Sequence, residues 1–154
     1  MITQPLSGLL LESVRSALQS RVLPHVSDPQ ALVALDRIDS ILGSVARRCD
    51  HEIAWMREEM AQTTELAHQL IDAGEDRNGA IAEALAEVAA DTARSDHTPD
   101  VQADYSRASE LLSRCLEVTV ALDGSLHERG EAAIRDRLAR EVEIRGDFVL
   151  IGQA

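Results

Sequence analysis

The chain has 154 residues, of which 45% are hydrophobic, so it can bury a core and is not a disordered polypeptide. Its formal net charge is -12, and residues 58–104 hold twelve acids against two arginines, a block that would repel nucleic-acid phosphates and anionic lipid. With only three aromatic residues, the core must be aliphatic, which favours an all-α protein. No apolar run reaches the ~20 residues that a membrane span needs, so neither nucleic acid nor a membrane is expected as a partner.

The first predicted helix runs from about Leu6 to Leu23 and ends before Pro24. Its aliphatic residues recur every fourth position, which places them on one helical face: Leu6, Leu10, Val14, Leu18 and Val22. Asp28 and Pro29 then form a start signal, because the carboxylate can cap free N–H groups and proline suits a first turn.

A second helix is predicted from Pro29 to about Asp72, some 44 residues and roughly 65 Å long. Its first apolar stripe comprises Leu35, Ile38, Leu42, Val45, Cys49 and Met56. Glu52 interrupts this pattern, and a shifted stripe continues with Met60, Thr63, Leu66, Ala67 and Leu70. The shift predicts either a change of packing partner near Glu52 or a kink.

Residues 73–79 form a predicted loop, with Gly74 as a helix C-cap. A third helix follows from Ala80 to about Ala93, with an apolar face formed by Ile81, Leu85, Val88 and Ala89. Thr98 and Pro99 repeat the signal of a cap followed by proline.

The fourth predicted helix carries the clearest heptad pattern, in Tyr105, Ala108, Leu112, Cys115, Thr119, Leu122 and Leu126. Ser125 and Glu128 have the spacing of a capping box, which indicates a possible break at Asp123-Gly124-Ser125. The sequence leaves open whether the helix breaks at Gly124 or at Gly130, and whether a new helix or a kinked continuation follows. The helix beyond it, to about Ile144, has Ala133, Ile134, Leu138 and Val142 as its apolar positions.

These elements predict a single all-α domain over residues 1–154, an antiparallel bundle of two long and two to three shorter helices. Residues 6–72 would form a first αα unit and residues 80–144 a second. Residues 145–154 form an apolar tail, which either packs on the bundle or pairs with another chain.

The chain has no lysine, since all fifteen basic residues are arginines. This excludes Schiff-base catalysis and the lysine of a phosphate-binding P-loop. Neither a Gly-x-Ser-x-Gly elbow nor a zinc-type histidine spacing occurs. No basic region precedes the apolar N-terminus, so a signal peptide is not expected. We therefore expect a cytoplasmic protein with no enzymatic activity and no cofactor.

Glu65 and His68 have the Glu-x-x-His spacing that di-iron bundles use, and they are the only metal-ligand candidates. Such a site needs a second motif of this kind, which is missing, so two surface residues are the simpler interpretation. Cys49 and Cys115 both fall on apolar stripes. Buried reduced thiols are expected, with a disulfide as the alternative.

Trp55, Met56 and Met60 lie where the stripe of the second helix shifts. Tryptophan and methionine are common both in cores and at binding surfaces, so the pattern leaves both roles open. Together with Phe148 and Leu150 of the tail, they are the interface candidates.

The N-terminal half resembles a small family of bacterial all-helical proteins of unknown function. The residues that carry the resemblance are Leu9–Leu18, then Val22-Leu23-Pro24, then Asp36–Arg48. The genes of that family lie beside aminoglycoside-phosphotransferase-like kinases that act on hydroxyacyl-CoA, and beside acyl-CoA dehydrogenases. The resemblance covers about residues 7–74 and implies a non-catalytic companion of such a kinase.

The sequence thus predicts a helical accessory or interaction protein, a partner subunit of a phosphotransferase-like kinase or a related acyl-CoA-metabolising enzyme. A dimer is expected, because apolar stripes on helices this long exceed what one small chain can cover. Two alternatives stay open: a metal- or ligand-binding four-helix bundle, and a self-associating structural bundle.

Overall fold

The computed structural model describes residues 5–90 and 95–145, and within these ranges the chain is helical and has no β-strand. Five α-helices follow in chain order: α1 Ser7–Ala17, α2 Pro29–Asp72, α3 Ala80–Ala89, α4 Thr98–Thr119 and α5 Ser125–Arg145. The predicted all-α class is therefore confirmed. None of these helices combines the length and the hydropathy that a membrane crossing requires. The predicted apolar tail, from residue 146 onward, lies outside the described residues.

The local start and stop signals act largely as predicted. Asp28 Oδ2 accepts the N–H of Ala31 at 2.9 Å, which caps α2. Gly74 has a φ of +75°, and the Glu75 N–H donates to the Leu70 carbonyl at 3.0 Å, the paired closure of a Schellman cap. A turn at Gly124, whose φ is +78°, separates α4 from α5.

Three predicted boundaries need correction. The first helix is α-helical only to Ala17 and continues as a π turn over Leu18–Val22 and a 3-10 turn over Leu23–His25, where Pro24 has no N–H to donate. Thr98 is the first residue of α4 rather than its cap, because Pro99 fits the second helical position as well as the first. Helix α3 ends at Ala89, and the predicted helical residues beyond position 90 lie outside the described residues.

The chain divides into two compact units, residues 1–52 with 140–154 and residues 53–139. Both divisions fall inside helices, the first within α2 just after Glu52 and the second within α5 after Ala139. Helix α2 is assigned without a break across Glu52, and its packing partners change at that point. The predicted change of partner is therefore confirmed, and the predicted loop over residues 73–79 lies inside the second unit.

The second unit has a continuous apolar core built from four helical segments. Its main cluster joins α2, α3 and α4 through Leu66, Ala67, Leu70, Ile81, Ala84, Leu111, Leu112 and Cys115. A smaller cluster packs Met60 against Val101 and Ala108. The Tyr105 hydroxyl donates to Glu59 at 2.5 Å, and the Arg137 guanidinium lies 5.3 Å from the centre of the Tyr105 ring, so α5 is held against α4 by a cation–π contact.

Helix α5 departs from its predicted apolar face. Ala133 packs against the main cluster, but Ile134, Leu138 and Val142 are 43%, 55% and 69% exposed. The contact between α4 and α5 depends instead on a small residue, because Gly130 is buried directly against Thr119. Because α5 approaches α4 closely at Gly130, it is oriented so that three of its aliphatic residues are exposed to solvent.

Candidate functional site

Eleven large aliphatic side chains among residues 5–52 are exposed, and six of them recur at helical spacing. These six lie at the start of and along α1 and on the first half of α2: Leu6, Leu10, Val14, Ile38, Ile41 and Val45. Each is between 38% and 54% exposed, and we call them the apolar stripe. Five of the six belong to the two helical stripes recognised from periodicity, so a pattern typical of burial stays open to solvent.

Helix α1 docks on α2 through a different and more polar face. Arg15 Nε and Nη2 donate to the two carboxylate oxygens of Asp39 at 3.1 and 3.0 Å. The Arg15 side chain lies directly over Gly43, and Asp50 lies directly over the buried Gly8. A pair of helices joined in this way buries little aliphatic surface, which leaves its stripe without a partner.

The contacts of α1 with α2 run in opposite chain directions, since Gly8 meets Asp50 whereas Arg15 meets Asp39. The two helices are therefore antiparallel. On a helix with 3.6 residues per turn, the stripe residues of each helix lie between about a third and half of a turn from its docking face. The two offsets have the same sense along each chain direction, so in an antiparallel pair Val14 and Ile38 incline toward the same side, whereas Leu6 and Ile41 point away from the contact between the helices.

The other side of α2 is occupied by the end of α5. Ser44 Oγ and Arg47 Nη2 donate to the Ile144 carbonyl at 3.2 and 3.1 Å. Both side chains project from α2 well away from Ile41 and Val45, and they satisfy a carbonyl that has no partner within its own last helical turn. The end of α5 thus contacts α2 away from the apolar stripe.

The ion pair between Arg15 and Asp39 lowers the pKa of the Asp39 carboxyl below its ordinary value of 3.8, chiefly through the hydrogen bonds from Arg15. A carboxyl whose pKa is depressed by folding contributes stability above its ordinary pKa and loses that contribution as the pH falls through the lowered value. This polar contact is thus stabilising at neutral pH and fails in acid.

We expect an Asp39→Asn variant to be less stable than the parent by about 0.5 to 1 kcal/mol at pH 7, the range of a partly exposed bidentate pair. Thermal melts as a function of pH check this, and the difference should narrow as the pH drops below 3.8. Asp36→Asn, which removes the same charge from an exposed position of α2, is the control. If the stability difference between Asp39→Asn and the parent stayed constant in acid, the ion pair between Arg15 and Asp39 would be contradicted.

Three of the interface candidates named from the sequence, Trp55, Met56 and Met60, belong to the second unit. Met60 is buried against Val101 and Ala108 and belongs to the core of the second unit. Trp55 and Met56 are half-buried. Phe148 and Leu150 lie outside the described residues.

Glu65 and His68 are both exposed on α2, and Glu65 accepts a hydrogen bond from Gln69 at 2.5 Å. Within residues 5–90 and 95–145, no group of three or more His, Cys, Asp and Glu side chains is placed to hold a metal ion. His68 does border an apolar groove of about 480 Å³ between α2 and α3, lined also by Ile71, Leu85 and Val88.

The two cysteines are free thiols in different surroundings, which corrects the expectation that both are buried. Cys115 is fully buried in the main cluster, and burial, with a smaller contribution from the charge of Asp76, raises the pKa of its thiol to about 11. Cys49 is exposed because α1 docks on a neighbouring face of α2.

In a Cys49→Ser chain, we expect Cys115 to be unreactive toward a thiol reagent such as DTNB in the folded state. At pH 8 a thiol with a pKa near 11 is ionised in about one molecule in a thousand, and the buried sulfur is also inaccessible. Denaturant should release one reactive thiol per chain. Rapid labelling of the folded chain would show that the core around Cys115 is open.

Sequence reasoning found most of the stripe as a pattern and expected such stripes to exceed what one chain can cover. It did not identify the polar contact between Arg15 and Asp39. Comparison of the chain with protein-family models, with curated proteins and with solved structures yields no match.

Proposed function

We propose that the protein is a non-catalytic helical interaction protein that associates with another polypeptide through the apolar stripe of α1 and α2. The observation that carries this proposal is the contrast between its two units. In the second unit the predicted stripe of α2 is buried throughout, at Met60, Thr63, Leu66, Ala67 and Leu70. In the first unit, stripe residues of the same chemical type remain 38% to 54% exposed.

The energetic argument follows from the size of the exposed side chains. Covering the remaining surface of a half-exposed leucine, isoleucine or valine contributes on the order of 1 kcal/mol. Covering six such residues can therefore drive a stable association, even after the cost of ordering two chains. A uniformly apolar contact patch is also typical of lasting, rather than fleeting, protein partners.

The resemblance of residues 7–74 to helical proteins encoded beside phosphotransferase-like kinases supports a specific role. In this role the protein is a cytoplasmic accessory subunit that stabilises such a kinase, or a related acyl-CoA-metabolising enzyme, and has no active site of its own. Binding of the enzyme partner would depend on the apolar stripe.

Affinity capture from native cells tests this role with three tagged chains: the parent, Leu10→Glu in the stripe, and Val120→Glu. Val120 is 76% exposed on the second unit, so its replacement adds the same charge away from the stripe. We expect the parent and Val120→Glu to capture a kinase of the phosphotransferase type, identified by mass spectrometry, and Leu10→Glu not to capture it. Equal capture by all three chains, or no kinase with any, contradicts the proposal.

A second candidate function is the binding of a small apolar ligand in the groove beside His68. The volume of about 480 Å³ lies in the range of small-molecule sites, and its lining is largely aliphatic. Leu85→Glu should abolish binding of a fluorescent apolar probe to this groove if it is a ligand site. Metal analysis of the purified protein tests the related hypothesis of a metal bound by Glu65 and His68.

A further inference from the structure

The loop between α2 and α3 holds the only asparagine of the chain. Asn78 is followed directly by Gly79, and both residues are exposed to solvent. An asparagine is chemically labile because the next backbone nitrogen can attack its side-chain carbonyl carbon and close a five-membered ring. A side chain on the following residue would hinder this attack, and glycine has none. The pair therefore joins a labile amide to the least hindered nucleophile.

The structure leaves the approach to the Gly79 nitrogen open. A Cβ atom built on Gly79 would meet nothing beyond its chain neighbours within 4 Å, so water and hydroxide reach the backbone from that side. The Gly79 N–H donates to the Asp76 carbonyl, but at 3.3 Å this hydrogen bond is long. Because the bond is weak and exposed, releasing the nitrogen from it costs little.

A second hydrogen bond prepares the Asn78 side chain for attack. Its Oδ1 accepts the Ala80 N–H at 3.2 Å, a turn that folds the side-chain amide back along the intervening peptide unit. This arrangement keeps Cγ of Asn78 beside the Gly79 nitrogen. The hydrogen bond also draws electron density from the side-chain carbonyl and stabilises the negative charge that forms on its oxygen during attack.

We propose that Asn78 is a site of spontaneous deamidation, with the Gly79 backbone nitrogen as the internal nucleophile. Hydroxide removes the Gly79 N–H proton, and the nitrogen forms a bond to Cγ of Asn78. The bond from Cγ to Nδ2 then breaks, and ammonia leaves with a proton taken from water. A second water molecule opens the resulting succinimide at either of its two carbonyl carbons, giving aspartate or isoaspartate at position 78.

The two products differ in their effect on the start of α3. Aspartate keeps an acceptor for the Ala80 N–H and adds a negative charge, which a helix N-terminus favours. Isoaspartate lengthens the main chain by one carbon before Gly79, whose carbonyl accepts the Glu83 N–H of the first helical turn at 3.0 Å. The site lies in the second unit, so this chemistry is independent of the apolar stripe.

The experiment follows the mass of the tryptic peptide of residues 78–94, taken at intervals from the purified full-length chain incubated near neutral pH. We expect a gain of about one dalton with time, because an amide becomes an acid, and separation of the product into aspartate and isoaspartate forms. The rate should rise by up to about tenfold per pH unit, because the attacking nitrogen must lose its proton. Unfolding the chain in urea should change the rate by less than about tenfold, the effect of one exposed hydrogen bond.

Asn78→Gln is the matched control, because the longer side chain would have to close a less favoured six-membered ring. The same peptide of this variant contains no other amide side chain, and we expect it to gain no mass. A gain equal to that of the parent would overturn the proposal.

Two results with the parent would also overturn it. One is a folded chain that reacts more than about tenfold more slowly than the chain in urea, which would show that the loop protects Asn78. The other is a product that contains aspartate without isoaspartate, because direct hydrolysis of the amide by water would then replace attack by the Gly79 nitrogen.

Discussion

The free energy of unfolding of a Leu111→Ala variant should be about 2 to 5 kcal/mol lower than that of the parent, the range seen when a fully buried leucine is truncated. Leu111 is 0% exposed and lies in the main cluster among Leu70, Ile81 and Cys115. Removing three carbons there sacrifices burial and leaves a cavity that helices from three directions cannot fill without shifting. Denaturant titration monitored by circular dichroism measures the change.

Leu138→Ala on α5 is the matched control, because it makes the same chemical change at a residue that is 55% exposed. Its effect should stay within about 1 kcal/mol. The melting temperature of Leu111→Ala should fall by about 10 °C, as expected for a chain of this size. Equal effects of the two substitutions would show that the second unit has no packed core at Leu111.

Gly130→Ala should destabilise the protein by about 1 to 3 kcal/mol, although alanine is ordinarily the better helix former by about 1 kcal/mol. A Cβ atom at Gly130 would lie 2.9 Å from the Cβ of Thr119 and closer still to its hydroxyl oxygen. These atoms belong to a buried residue near the end of α4, so the two helices must move apart to relieve the overlap. The free energy of unfolding again gives the measurement.

A double-mutant cycle with Thr119→Ala separates this overlap from other effects of the glycine. Alanine at position 119 removes the hydroxyl and the methyl group that a new Cβ would meet, and leaves the Thr119 Cβ contact. Gly130→Ala should therefore cost less in the Thr119→Ala background, by about 0.5 kcal/mol or more. Additive effects of the two substitutions would rule out a direct contact between α4 and α5 at these positions.

The second unit was the more predictable half of the molecule. Every residue of the second stripe of α2 is buried, and so are Ala108, Leu112, Cys115 and Thr119 of the heptad pattern of α4. The pattern succeeds here because four helical segments surround one core, so each apolar stripe has a neighbour to face. Position on the helix then decides burial directly.

The first unit shows why periodicity alone does not identify contacts. Two stripes were recognised on α1 and α2, yet the helices meet through Arg15, Asp39 and two glycines instead. A hydrophobic pattern specifies which face avoids water but not which molecule covers it. The candidate surface was therefore found as a pattern, whereas Trp55, Met56 and Met60, chosen as interface candidates, belong to the second unit.

The amino-acid sequence by itself determined the helices, most of their ends and the positions that repel water, since these depend on neighbours within a few residues. Asp28, Gly74 and Gly124 act through local hydrogen bonds and backbone dihedral angles, which any tertiary arrangement retains. Only the tertiary structure decided that Cys115 is buried whereas Cys49 is exposed, and that Gly130 allows α5 to approach Thr119. These outcomes depend on which helix faces come together, and that choice is set by close packing and by pairing of charges between residues far apart in the chain.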